Sequence, residues 1–151
     1  MQTQLPENKK IRNATPLVYQ DIHFKSKLEV MVYATLKEAG FPVEYEPEKF
    51  ILWEGYKPSV PFFNKDKKTR MLKQDTKKLL NITYTPDFVF KHNGWMVIIE
   101  VKGFENDSFP YKKKLFRKWL EDNAPQSIYF ELYSKKQLLQ AIEIIKNLKE
   151  E

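Results

Sequence analysis

The sequence contains no cysteine. Disulfide staples and thiolate zinc sites are therefore excluded, and the composition fits a reducing compartment. Its two histidines, His23 and His92, stand far apart, which argues against a histidine-rich metal centre. Long apolar runs are missing too. The longest, Trp95 to Ile99, is far too short to span a membrane, so no membrane partner is expected. Residues 1–10 hold no apolar stretch, so no secretory signal is expected and the expected location is the cytoplasm. No internal repeat and no low-complexity tract is visible.

What remains is material for one folded unit. Of 151 residues, 42% are hydrophobic and 15% aromatic. A chain of this length buries roughly 68–70% of its unfolded surface, so a single domain over 1–151 is expected. The net charge of +6 is unevenly spread. Lys65, Lys67, Lys68, Arg70, Lys73, Lys77 and Lys78 face only Asp66 and Asp75 between positions 65 and 78, which accounts for +5 of the +6. Such a concentration points to a polyanionic partner, nucleic acid first.

Residues 1–22 are polar and irregular and read as an arm. Ser26 caps an expected helix running to about Ala39, with Glu29 at the capping-box position. Leu28, Val32, Leu36 and Ala39 form its apolar stripe, and Gly40 ends it. Short strands follow over FPVEYE and Phe50–Trp53. Residues 54–80, broken by Pro58 and Pro61 and rich in lysine, read as an insertion: a mobile basic loop carrying a short helix around 69–80. ITYTPDFVF and WMVIIEVKG are strong strands. Residues 111–122 read as a helix with Leu115, Phe116, Trp119 and Leu120 inward. SIYFELY is a strand. Ser134 caps a last helix that buries Leu138, Leu139, Ile142, Ile145 and Leu148. The order is that of an α/β (α+β) fold, a central mixed sheet flanked by helices. Tyr45, Phe50, Trp53, Phe62 and Phe63 are expected in the core, with base stacking as the alternative. His23 is expected at the surface.

The chemistry gathers on one hairpin. Asn93-Gly94 suits a two-residue turn whose central residues both take positive φ. His92 then pairs with Trp95, and counting back sets Asp87 opposite Glu100. Side chains alternate along a strand, so Lys102 shares the face of Glu100, with Thr85 opposite it. Phe88, Phe90, Trp95, Val97, Ile99 and Val101 form the other, buried face. Opposed side chains have Cβ atoms about 4.5–5.5 Å apart, and two carboxylates at that range repel unless a positive charge joins them. A divalent cation held by Asp87, Glu100 and the Val101 carbonyl answers this, with Mg²⁺ expected and Mn²⁺ a substitute. Such a metal can polarise a phosphodiester and acidify a bound water, and Lys102 can orient that water or offset phosphate charge. The plainer alternative is an ion pair at a solvated sheet edge.

YTPDF (84–88) followed by EVKG (100–103) resembles the PD-(D/E)XK nuclease superfamily. Within it the chain is most similar to phage endonucleases that resolve Holliday junctions, to small phage and prophage nucleases, and to the endonuclease subunit of heteromeric transposases. FKSKLE (24–29) matches the first-helix motif that carries a further catalytic acid, which by that match is Glu29. The resemblance covers about residues 24–53 and 82–133, and the lysine-rich insertion departs from it. It implies a restriction-endonuclease-like fold and Mg²⁺-dependent cleavage of duplex or branched DNA by a symmetric dimer, in a phage- or prophage-encoded protein. Glu29, Asp87, Glu100 and Lys102 are the catalytic residues so implied. Lys67, Lys68, Arg70 and Lys73 in the insertion, and Lys112, Lys113 and Lys114 further on, are the candidate phosphate contacts. Two rival expectations are a non-catalytic nucleic-acid-binding module and a nuclease subunit active only within a transposition or restriction assembly.

Overall fold

A computed structural model describes residues 17–103 and 108–150. It is a mixed α+β protein. In chain order the elements are β1 (Leu17–Tyr19), β2 (Ile22–Phe24), α1 (Lys27–Glu38), β3 (Glu44–Tyr45), β4 (Phe50–Trp53), β5 (Phe63–Lys65) and β6 (Leu72–Gln74). There follow β7 (Ile82–Tyr84), β8 (Phe88–His92), β9 (Trp95–Val101), α2 (Phe109–Asn123), β10 (Ser127–Leu132) and α3 (Lys135–Lys146).

The central sheet has the order β10-β9-β8-β3. β8 and β9 are antiparallel, joined at Asn93 (φ 48°) and Gly94 (φ 77°), the paired positive values that the Asn-Gly turn favours. β10 runs parallel to β9, which requires a crossover, and α2 supplies it. β9 reads WMVIIEV with little alternation because both of its faces are covered. On one side Phe88, Phe90, Val97, Ile99 and Val101 pack with Val32 and Leu36 of α1 and Leu138, Ile142 and Ile145 of α3. On the other side Val89 and Ile98 pack with Phe116 and Leu120 of α2, and with Phe50 and Tyr84. The face expected to be core is core, with Trp95 only half-buried and its indole N–H given to the Lys149 carbonyl. The opposite face, which carries Asp87 and Glu100, is also roofed.

Both capped helices begin where their serines sit. Ser26 Oγ accepts from Glu29 N–H (3.2 Å) and Ser134 Oγ from Gln137 N–H (3.3 Å). Gly40, at φ 87°, turns the chain after α1. Several expectations need correction. Of the expected arm, residues 1–16 lie outside the described residues, while Leu17–Tyr19 pair with Ile22–Phe24 through positive-φ Gln20 and Asp21. ITYTPDFVF is two strands: β7 leaves the central sheet to pair with β4, and the chain turns at Thr85-Pro86-Asp87 before β8. Thr85 therefore does not lie on a ladder opposite Lys102.

The insertion holds no helix. β5 and β6 form a hairpin, and Arg70 N–H closes its tip on the Asp66 carbonyl (2.9 Å). The Asp66 carboxylate takes the Lys68 and Thr69 amides (2.8 Å each), which hold it below the usual carboxylate range. A short acceptor after a strand has here organised a turn where a lysine-rich run suggested a helix. Leu115 and Leu139, expected inward, are 37% and 50% exposed, because α2 and α3 each cover only one face of the sheet and these residues sit at the margins. Phe62 and Phe63, expected in the core, are more than half exposed on the two-stranded arm, and Trp53 at its base is 38% exposed.

Candidate active site

Asp87 and Glu100 meet where the β8–β9 ladder stops. The last backbone pair is Phe88–Ile99, and one step further the side chains take over. Val101 N–H donates to Asp87 Oδ2 (2.7 Å), and Asp87 N–H donates to Glu100 Oε2 (3.3 Å). The Pro-Asp pair explains this. Had the ladder continued, residue 86 would oppose Val101 and supply an N–H to its carbonyl, but Pro86 has none. Lys102 N–H bonds to the Leu132 carbonyl on β10, so by strand alternation the Val101 N–H and C=O both point toward β8. Asp87 takes the Val101 N–H, and the Val101 carbonyl is left facing the carboxylates without a ladder donor.

Glu100 is held from three sides. Tyr84 Oη donates to its Oε2 (2.7 Å), and Tyr129 Oη lies 2.8 Å from Tyr84 Oη. Lys102 Nζ stands 2.9 Å from Glu100 Oε1 and 3.7 Å above the Phe109 ring. The third acid comes from α1. Glu29 Oε2 accepts from Tyr45 Oη (3.1 Å) and from Lys25 N–H (2.8 Å). The capping box is thus realised one residue early, on Lys25 N–H, and Glu29 serves the helix and the site together. Lys25 also pairs with Glu46. Burial works against its ammonium, and that carboxylate outweighs burial and keeps its pKa raised.

Glu29, Asp87 and Glu100 are each only 6% exposed, and the Lys102 side chain 11%. Burial, then the adjacent Glu100 charge, push the Asp87 carboxyl well above its ordinary range, and Glu29 adds to the push. Burial and the same Glu100 charge drive the Tyr84 hydroxyl far up, so it stays protonated as a donor. Burial likewise raises Tyr45 and Tyr129. Three carboxylates share this end of the sheet with one buried ammonium, a deficit of two positive charges when all are ionised. A hard divalent cation fits that deficit and that oxygen-rich donor set. Asp87, Glu100 and the Val101 carbonyl are the groups that could hold it. Among the described residues no three acidic or histidine side chains already form a closed cage, and Glu29 is turned toward Tyr45 and Lys25.

The other expected site residues are scattered. Lys67, Lys68, Arg70 and Lys73 are exposed on the β5–β6 hairpin, and Lys73 lies 3.6 Å from Asp66. Lys113 is engaged with Glu131 (2.9 Å), which neighbours Glu100 across the β9–β10 ladder. Lys112 is half-buried and Lys114 exposed, and His23 is exposed as expected. Tyr84 and Tyr129 carry no local pattern that marks them, since their contacts with Glu100 and with each other join residues 16 and 45 positions apart. Tyr84→Phe removes one donor to Glu100 and keeps the ring. If Glu100 is a reacting-site carboxylate, kcat should fall about 10- to 100-fold with KM little changed. A KM effect alone in steady-state cleavage kinetics would contradict that role.

Fold and site together define a mixed-sheet α+β protein with a buried carboxylate pair and a lysine at the open end of a hairpin. The chain belongs to DUF1064, a family of proteins of unknown function, whose model matches residues 9–135. Comparison with curated proteins finds no match, and comparison with solved structures finds none. No helix among the described residues is long and apolar enough to cross a membrane.

Proposed function

We propose that this protein is a metal-dependent endonuclease acting on DNA phosphodiesters. The observation that carries the reading is the buried charge deficit around Asp87 and Glu100, opened toward the Val101 carbonyl by Pro86. The resemblance of YTPDF, EVKG and FKSKLE to the PD-(D/E)XK nucleases supports it from the sequence side. A bound Mg²⁺ or Mn²⁺ would polarise the scissile phosphate and acidify a water. Asp87 and Glu100 would hold the ion, and Tyr84 fixes the Glu100 carboxylate. Lys102, desolvated against Phe109, offers a fixed positive charge beside the reacting phosphate. Glu29 sits behind them as the further acid, positioned by Tyr45.

The test is cleavage of linear, nicked and four-way DNA by the purified chain with Mg²⁺, Mn²⁺, Ca²⁺ or EDTA. Nicking with Mg²⁺ and Mn²⁺, and poor activity with Ca²⁺, is expected, because the larger and looser Ca²⁺ shell positions water less well. Branched DNA and a symmetric dimer are the preferred substrate and state on the resemblance, since two strands must be cut at related positions. Metal-independent DNA binding without cleavage of any substrate would instead favour a binding module or a subunit that needs its assembly.

A further inference from the structure

Beyond the β4–β7 ladder the two chain segments keep company outward. Gly55 N–H bonds to Asn81 Oδ1 (2.8 Å), Leu79 N–H to the Tyr56 carbonyl (2.9 Å), and Asp75 N–H to the Phe62 carbonyl (2.9 Å). β5 and β6 then pair up to the closed turn at 67–70. Residues 54–80 are thus a two-stranded arm rooted at Tyr84, the residue that holds Glu100. Every residue from 67 to 80 is exposed. The arm carries +5 of the chain's +6. It also shows large apolar side chains to solvent: Val60 77%, Phe62 57%, Phe63 55%, Met71 71%, Leu72 78% and Leu80 80% exposed. A lone two-stranded ribbon cannot bury such residues on itself, and an exposed apolar group of this size marks a contact surface.

The occupant follows from charge. Two copies meeting arm to arm would set one cationic arm on another, whereas a polyanion is attracted along its length. Phosphate alone does not account for the apolar residues, which gain nothing from it. Base steps do: apolar wedges between bases, flanked by cations on phosphates, unstack and kink a duplex. A two-stranded ribbon has the width to enter a DNA groove. Met71 and Leu72 stand directly beside the cationic tip and, being successive strand residues, point to opposite faces.

We propose that the arm inserts into a groove of duplex DNA, with Lys67, Lys68 and Arg70 on the backbone phosphates and Met71 and Leu72 wedged against base steps, and so bends the duplex beside the carboxylate site. This deepens the nuclease reading in that DNA is the shared partner, but the arm's action needs no metal.

The test uses the full chain in EDTA, where no cleavage occurs. A duplex with 2-aminopurine at successive positions reports unstacking, and end-labelled energy transfer reports bending. Wild type should brighten the 2-aminopurine at one or two steps and shorten the end-to-end distance. Met71→Ser/Leu72→Ser should lose both signals while keeping affinity within a few-fold, because neither side chain is buried in the fold. Lys67→Gln/Lys68→Gln/Arg70→Gln should flatten the slope of log affinity against log salt by up to about 2.7 on every sequence. Bending and unstacking undiminished in the Met71/Leu72 variant, or DNA bound by wild type without either signal, would overturn the proposal. So would a fall in self-association with unchanged DNA signals, which would assign the arm to a second copy of the chain. Bending without cleavage in Mg²⁺ would leave the arm standing and remove the nuclease reading, and cleavage without bending would do the reverse.

Discussion

Asp87→Asn should lower metal-dependent DNA cleavage by on the order of 10³-fold or more, the scale on which removal of a charge-stabilising group acts in a site of this kind. Asparagine is the informative choice. Its carbonyl can keep the bond from Val101 N–H, so no buried donor is orphaned, whereas alanine would leave that amide unpaired. Its amide group faces Glu100 as a donor where Asp87 presents a second negative charge. The variant should therefore melt higher than wild type at neutral pH without metal, because burial and Glu100 make the charged Asp87 costly to the fold. DNA affinity in EDTA should be unchanged or raised, since a negative charge has gone. Lost cleavage with a higher melting temperature is the signature of a functional carboxylate held at the expense of stability. Cleavage at the wild-type rate would remove the site, and a lower melting temperature would show that Asp87 is a structural ion-pair partner.

The hairpin behind this prediction was the most legible part of the chain. Asn93-Gly94 admits few turns, and a two-residue turn fixes the register of every later pair, so Asp87 and Glu100 could be set face to face by counting. α1 was equally readable from Ser26 and Gly40, because caps are local chemistry. What escaped was set by tertiary contact or by short-range hydrogen bonding without an apolar period. β9 gave no hint of two covered faces beyond its lack of alternation, and α2 supplied the second cover. Asp66 built a hairpin tip from a run of lysines that looks helical by composition. The β1–β2 turn uses Gln20 and Asp21 at positive φ where glycine or asparagine would have advertised it. Tyr84 illustrates the limit best. Its hydroxyl reaches Glu100 only because β7 breaks from β8 at Pro86 and pairs with β4, a step that no residue pattern in ITYTPDFVF declares.

The same break predicts how the protein should respond to metal. At a concentration a hundred times its Kd, a ligand specific to the folded state adds about 2.7 kcal/mol. For a chain of this size that is a rise in melting temperature of roughly 5–10 °C. Mn²⁺ or Mg²⁺ should therefore raise the melting temperature of wild type by this order, and leave Asp87→Asn and Glu100→Gln nearly unmoved. The shift should also depend on pH with a definite sign. Without metal, the raised Asp87 pKa means that the folded protein binds this proton more tightly than the unfolded chain. The contribution of Asp87 to stability is then complete below the ordinary carboxylate pKa and is lost as pH rises through its folded value. A cation competes with that proton for the same carboxylate. The metal-induced rise should accordingly be small on the acid side of the folded Asp87 pKa and grow as pH increases through it. Scanning calorimetry across that range, with and without Mn²⁺, measures it directly. A rise that is independent of pH, or one retained in Glu100→Gln, would place the cation somewhere other than between Asp87 and Glu100.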